Sequence, residues 1–159
     1  MAAQAPIVKR DRRAVPKDYI FAVGRRRAAV ARVRLYEFVK DGLVWEEMAI
    51  KKGDFIVNQK PVAEYFGGDI NRFKYTEPFR VANAQNKYTV TVRVVGGGPA
   101  GQLDAVIAGI ANALSKADEE NFRPVLKAKG FLTRDSRIRE RRKVGMGGKA
   151  RRKKQSPKR

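Results

Sequence analysis

Clustered arginine and lysine side chains are the residues of this sequence best suited to chemistry, and that chemistry is the binding of phosphate groups. Residues 130–159 hold 13 Lys or Arg against 2 Asp or Glu, whereas residues 19–129 hold 18 against 12. The formal net charge of +20 is therefore concentrated in a C-terminal basic segment attached to a domain of ordinary composition. Such a segment predicts a polyanionic partner, of which nucleic acid is the commonest, with a charge run that only increases solubility as the alternative. An anionic membrane is a weaker alternative, because the segment has no apolar face to insert.

A second group of arginines lies near the start of the chain. Residues 25–27 are three consecutive arginines that separate two apolar runs. Polar and apolar residues alternate in the second run, which places Arg32 and Arg34 on one face and Val33 and Leu35 on the other. The pattern predicts a hairpin with one buried and one basic face. Because the planar guanidinium matches phosphate in a bidentate way, we expect contact with phosphates, with a merely solvated basic face as the alternative.

The third candidate is the glycine-rich segment Gly96-Gly-Gly-Pro-Ala-Gly101, which lies between a predicted strand and a predicted helix. It matches the G-x-G-x-x-G pattern of dinucleotide sites. Pro99 removes a backbone N–H from the turn, however, and no strand follows the helix to supply an acidic residue for a ribose. We therefore predict no cofactor, and expect either an RNA phosphate on the free N–H groups of Gly97 and Gly98 or a purely structural turn.

Catalytic groups are scarce. The sequence has no His and no Cys, so it lacks the commonest general base and any thiolate ligand or disulfide. Its carboxylate runs, residues 46–47 and 118–120, are adjacent in sequence and lie at the ends of predicted elements, where helix-end electrostatics explains them. We predict that the protein is not an enzyme. No apolar run approaches the roughly 20 residues of a membrane-spanning helix, so we expect an intracellular protein.

The chain divides into a flexible arm (residues 1–18), a globular domain (19–129) and an extended basic tail (130–159) that we expect to order only on a polyanion. Within the domain, Asn58 is expected to cap a short helix, Pro78 to lie beyond the next one, and Gly130 to end the last. Strands are predicted at residues 19–23, 30–38, 43–50, 55–57 and 88–95. Helices are predicted at residues 61–66, 69–75, 102–117 and 119–129.

Several of these segments, in this order, resemble the family of ribosomal protein nine of the small subunit, in its bacterial form. The matching segments are Gly-Arg-Arg-Arg-Ala-Ala-Val-Ala-Arg-Val (24–33), Val-Asn-Gln (57–59), Glu-Tyr-Phe-Gly (64–67), Gly-Gly-Gly-Pro-Ala-Gly-Gln (96–102), Gly-Phe-Leu-Thr-Arg-Asp-Ser-Arg (130–137), Glu-Arg-Arg-Lys-Val-Gly (140–145) and the terminal Lys-Arg (158–159). Any one of them is weakly specific, but the ordered set is highly specific.

The resemblance implies an α/β two-layer fold with a mixed sheet, helices on one face and a left-handed βαβ crossover. It implies a structural, cytoplasmic ribosomal protein in the head of the small subunit, bound to the three-prime major domain of the small-subunit rRNA and to neighbouring head proteins. In the family the tail reaches the anticodon stem-loop of the peptidyl-site tRNA, a role that falls here on Lys158 and Arg159. With the basic clusters above, the expected rRNA-binding residues are Arg25, Arg26, Arg27, Arg32, Arg34, Gly97, Gly98, Arg134, Arg137, Arg139, Arg141, Arg142, Lys143, Lys149, Arg151, Arg152, Lys153 and Lys154.

This chain departs from the family pattern at three places. The family usually ends Gln-Phe-Ser-Lys-Arg, whereas here Ser156 and Pro157 precede the terminal Lys-Arg, so the aromatic ring that could stack is missing while the charges remain. The helix segment 105–110 lacks the Arg-His often found there, which weakens RNA binding by that face. The segment 40–53 is longer than usual.

Two rival functions remain. The protein could be a non-specific nucleic-acid binder that uses only the tail, or an enzyme that binds a nucleotide at the glycine loop.

Overall fold

The structure, a computed structural model, describes residues 19–38, 44–45, 48–139 and 141. The predicted arm and most of the predicted tail lie outside these residues. The strands described are β1 (Ile20–Arg26), β2 (Ala29–Tyr36), β3 (Val44–Trp45), β4 (Met48–Ala49), β5 (Phe55–Val57), β6 (Lys60–Pro61) and β7 (Thr89–Val95). The helices described are α1 (Val62–Tyr65), α2 (Asp69–Val81), α3 (Pro99–Ala117) and α4 (Phe122–Ala128).

Five strands form one mixed sheet in the order β1-β2-β7-β5-β6. The pairs β1/β2, β2/β7 and β5/β6 are antiparallel, and β5/β7 is parallel. Parallel neighbours need a crossover connection, and α1 and α2 supply it between β5 and β7. The α/β two-layer prediction with a mixed sheet is confirmed; the left-handedness of the crossover stays a prediction.

One face of the sheet carries the core and the helical layer. Alternate residues of β2 (Ala31, Val33 and Leu35) are completely buried, as are Ile110 and Leu114 of α3. Helix α3 contacts β1, β2 and β7 directly, while α2 and α4 pack on α3. Period-two burial on the strands and period-3.6 burial on α3 therefore meet in a single apolar layer, as the sequence patterns predict.

The opposite face is covered at one end by the two-stranded β3–β4 sheet and the turn after it. Trp45 and Ile50 are buried against Ile56 of β5 in a second, smaller cluster. The N–H of Gly53 donates a hydrogen bond to Oγ1 of Thr89 at 2.8 Å. The described residues of the long segment 40–53 thus cover the face of β5 and β7 that points away from the helices. Thr89 lies on that face, and this covering explains why it is buried.

Several local predictions are wrong in detail. The predicted strand 43–50 is two short strands, β3 and β4, and the helix predicted at 119–129 begins only at Phe122. The arginine run does not interrupt the first strand, because β1 continues through Gly24 to Arg26 and only Arg27 and Ala28 form the turn. Asn58 does not cap α1; it has φ 45°, and its side chain bonds the N–H and C=O of Val94 at 2.8 and 3.0 Å, extending the pairing of β5 with β7.

Pro78 lies inside α2 rather than beyond it. Proline removes one internal helical hydrogen bond, yet Pro78 is fully buried, so its packing compensates. Helix α3 begins at Pro99, three residues earlier than expected, since proline is well suited to the first helical position. Gly130 follows α4 with φ 78°, which confirms its role in ending that helix.

Two glycines set the distance between α3 and β1. A Cβ on Gly24 would lie 1.9 Å from the carbonyl oxygen of Ala105 and 2.4 Å from the backbone nitrogen of Gly109. A Cβ on Gly109 would lie 2.6 Å from Cγ2 of Val33. The helix and the strand therefore approach backbone to backbone, which only glycine permits here.

Replacing Gly24 by Ala should lower the free energy of unfolding by roughly 1–3 kcal/mol, because the new methyl group must push α3 off the sheet. Urea denaturation followed by circular dichroism measures this change. Gly67→Ala is the matched control, since a Cβ there meets no atom within 4 Å; its effect should stay within about 0.5 kcal/mol. Equal effects of the two substitutions would contradict the close-approach explanation.

Candidate nucleic-acid interface

Arg26, the last residue of β1, is the centre of a cluster at one end of the sheet. Its side chain is only 14% exposed. Its Nη1 donates to the carbonyl oxygen of Arg137 at 2.8 Å, its Nη2 lies 3.0 Å from Oδ2 of Asp135, and its Nε lies 3.6 Å from Oδ2 of Asp104. Arg26 thus joins the β1–β2 turn, the first turns of α3 and the segment after α4.

Asp135 organises the arginines of this cluster. It accepts hydrogen bonds from the backbone N–H of Arg137 at 2.9 Å and from its Nε and Nη2 at 3.0 and 2.6 Å. These side-chain bonds from Arg137, then its backbone N–H, and to a smaller extent the charge of Arg26, hold the pKa of Asp135 far below its usual range. The same side-chain bonds raise the pKa of Arg137. The carboxylate is therefore ionised throughout the physiological pH range and keeps two guanidinium groups together.

A cleft of about 500 Å³ lies beside this cluster, lined by Arg26, Arg27, Arg137, Ile138 and Arg139. Four of its five lining residues are arginines from segments far apart in the sequence. Arg27 enters from the turn with φ 52°, while Arg137 and Arg139 enter from the segment after α4. Convergent guanidinium groups in a cleft suit the binding of an oxyanion such as a phosphate.

The glycine loop lies at the same end of the molecule and is shaped by packing. Gly96 and Gly97 have φ 77° and 69°, and a Cβ on Gly96 would lie 2.5 Å from the carbonyl oxygen of Ala28 in the β1–β2 turn. Nε2 of Gln102 donates to the carbonyl oxygen of Gly96 at 3.2 Å. These contacts support the structural-turn interpretation, while Gly97 and Gly98 remain exposed beside the arginine cluster.

Arg32 and Arg34 lie on the outer face of the sheet, away from the cleft lined by Arg26, Arg27, Arg137 and Arg139, which we call the arginine cleft. Arg32 is exposed and lies directly opposite Arg93 of β7. The guanidinium of Arg34 lies 4.9 Å above the ring centre of Tyr19. Arg93 is a basic residue of this face that the sequence prediction missed, although its alternation with Val92 and Val94 was a usable signal.

Arg25 and Arg134 form a third basic site, at the edge of the sheet. They line a cleft of about 310 Å³ with Val23, Asn112 and residues that follow α4. The predicted arginines are thus distributed over three surfaces rather than one. Arg141 is described and exposed. The expected residues that lie outside the described part of the chain are Arg142, Lys143, Lys149, Arg151, Arg152, Lys153, Lys154, Lys158 and Arg159.

Other kinds of site find no support among the described residues. Nowhere in residues 19–38, 44–45, 48–139 and 141 do three or more acidic side chains converge as metal ligands would. Within the same residues, every helix is too short or too polar to cross a membrane. The described part of the chain therefore presents basic clefts as its candidate sites.

Comparison with known proteins identifies the family. The family model of ribosomal protein S9/S16 matches residues 24–159. Small ribosomal subunit protein uS9 of Leifsonia xyli is 42% identical over 125 residues, which cover 79% of this chain and 67% of that protein. The uS9 protein of Arthrobacter is 39% identical over 145 residues, covering 91% and 78%, and that of Renibacterium salmoninarum is 41% identical over 125 residues, covering 79% and 67%. The chain therefore belongs to the ribosomal protein S9/S16 family, a family of structural rather than catalytic proteins.

Proposed function

We propose that this protein is a structural constituent of the small ribosomal subunit whose folded domain binds small-subunit rRNA through the arginine cleft. One observation carries the proposal: Arg26, Arg27, Arg137 and Arg139 converge on a single cleft. Asp104 and Asp135 hold Arg26 in place. The cleft carries the positive charge and the guanidinium groups that bind phosphate groups of folded RNA.

Membership of a ribosomal-protein family supports the choice of RNA over other polyanions, since the protein is a component of the ribosome in the bacterial cytoplasm. The relatives compared above are named as small-subunit proteins. Proteins recognise structured RNA largely by shape and by phosphate contacts, which fits a cleft of fixed guanidinium groups better than a site for base readout. The family resemblance favours the three-prime major domain, in the head of the subunit, as the bound RNA.

Preorganisation explains what the domain adds to a basic tail. A free arginine side chain loses rotamer entropy when it binds, whereas Arg26 is already immobilised by three contacts. The domain therefore provides an orientation on the RNA, and the nine Lys or Arg of residues 142–159 add charge neutralisation. As a further part of the proposal, Lys158 and Arg159 contact the anticodon stem-loop of the peptidyl-site tRNA, which the family resemblance supports. Gly97 and Gly98 are proposed as auxiliary phosphate contacts.

Replacing Arg27 and Arg139 together by Gln removes two charges from the cleft and leaves the contacts of Arg26 intact. The affinity of the full chain for an rRNA fragment of the subunit head should fall roughly tenfold at moderate salt. The slope of log K against log salt should also decrease by about 0.7–0.9 for each phosphate that is no longer bound. A salt titration followed by fluorescence anisotropy measures both quantities.

The matched control for that pair is the replacement of Arg72 and Lys74 by Gln, two exposed cations of α2 that lie outside the three basic sites. This change removes the same charge and should leave the preference for the head fragment over a scrambled RNA of equal length unchanged. If both pairs reduced affinity equally for both RNAs, the protein would be a general polyanion binder and the cleft would have no special role.

Deletion of Lys158 and Arg159 tests the proposed contact with tRNA. Small subunits assembled with the shortened chain should form normally, since the rRNA cleft is intact. The dissociation rate of peptidyl-site tRNA should rise at least about tenfold, because each hydrogen bond to a charged group contributes roughly 1.5–3 kcal/mol. Filter binding of labelled tRNA gives this rate, and an unchanged rate would refute the contact.

A further inference from the structure

A groove runs along the free edge of β1, between that strand and α3. It consists of two clefts, of about 310 and 390 Å³, that share Val23 and Asn112. Arg25 and Arg134 line one cleft, and Phe21 and Lys116 line the other. Residues 21 to 25 of an extended strand span about 13 Å, so cations flank a continuous groove that Phe21 borders at one end.

A free strand edge usually invites another protein strand, but this edge is blocked. Nζ of Lys116 donates a hydrogen bond to the backbone carbonyl oxygen of Phe21 at 3.0 Å. That carbonyl is therefore occupied, and a charged ammonium group lies where a pairing strand would approach. Lysine at a sheet edge is a common way to prevent strand pairing. The ammonium keeps further donors that can bind an anion in the groove.

Phe21 provides the second feature of the groove. Its side chain is 41% exposed, although it belongs to a strand that also contributes to the core. It lies directly opposite Arg34 in the β1/β2 pair, so its side chain lies on the outer face of the sheet, at the border of the groove. An exposed aromatic ring beside guanidinium groups is the combination on which proteins stack unpaired bases.

We propose that the edge of β1 binds a short unpaired RNA strand, with phosphates held in the groove by Lys116 at one end and by Arg25 and Arg134 at the other, and a base stacked on Phe21 where the outer face of the sheet borders the groove. The inference rests on the proposed function in that the ligand is RNA. It concerns a surface separate from the arginine cleft, and it adds recognition of unpaired bases to the recognition of phosphates.

The test is the substitution Phe21→Leu in the full chain, which keeps an apolar side chain and removes the ring. The probe is a single-stranded RNA oligonucleotide that contains one 2-aminopurine, with an RNA duplex of equal length as the reference. Affinity for the single strand should fall roughly tenfold while affinity for the duplex is unchanged. The quenching of 2-aminopurine fluorescence that accompanies stacking should also disappear.

Phe73→Leu is the matched control, because Phe73 is 67% exposed on α2 and lies outside the groove. It should leave affinity and quenching as they are in the unchanged protein. An unchanged single-strand affinity in Phe21→Leu would overturn the proposal. If the Arg27 and Arg139 replacements still weakened binding of the head fragment in that case, the proposed function would stand without the groove. If those replacements also had no effect, the proposed function would fail with it.

Discussion

Helix α3 lies on the backbone of β1 because Gly24 and Gly109 meet without side chains, and the candidate sites depend on that contact. A single Cβ on Gly24 would come within 1.9 Å of the carbonyl oxygen of Ala105. The short separation brings Asp104, in the second turn of α3, within reach of Arg26 at the end of β1. The groove between the edge strand and the helix lies beside the same contact. The burial that stabilises the domain and the geometry of its basic surfaces therefore have one cause.

The arginine cleft is basic but not uniformly so. The positive charges of Arg26 and Arg137 repel each other, and the carboxylate of Asp135 offsets that repulsion. Its Oδ2 lies 3.0 Å from Nη2 of Arg26 and 2.6 Å from Nη2 of Arg137. The hydrogen bonds from Arg137 favour the charged carboxylate and strongly lower its pKa. The result is a cluster that is ordered within the protein and still carries net positive charge toward the cleft.

Sequence patterns predicted the β1–β2 hairpin and α3, because alternation and helical periodicity are local signals. The α/β two-layer fold was implied by the family resemblance. The assignment to a non-enzymatic ribosomal family is confirmed by the family match. The errors arose where tertiary contacts override local preference: Asn58 pairs with β7 instead of capping a helix, and Pro78 is held in α2 by burial. The arginines were predictable by type, but the partnership of Arg26 with Asp135 was not. That interaction joins segments more than a hundred positions apart, and no local sequence pattern predicts it.

The most direct measurement is the affinity of Asp135→Ala for the head rRNA fragment, with Glu120→Ala as a control that removes a carboxylate from an exposed position. Both substitutions raise the net charge by one. If charge alone governed binding, both would bind RNA slightly more tightly. If the organised cleft governs binding, Asp135→Ala should bind several-fold more weakly, since Arg26 and Arg137 lose the group that orders them, while Glu120→Ala binds at least as well as the unchanged protein. Tighter binding by Asp135→Ala would contradict the account.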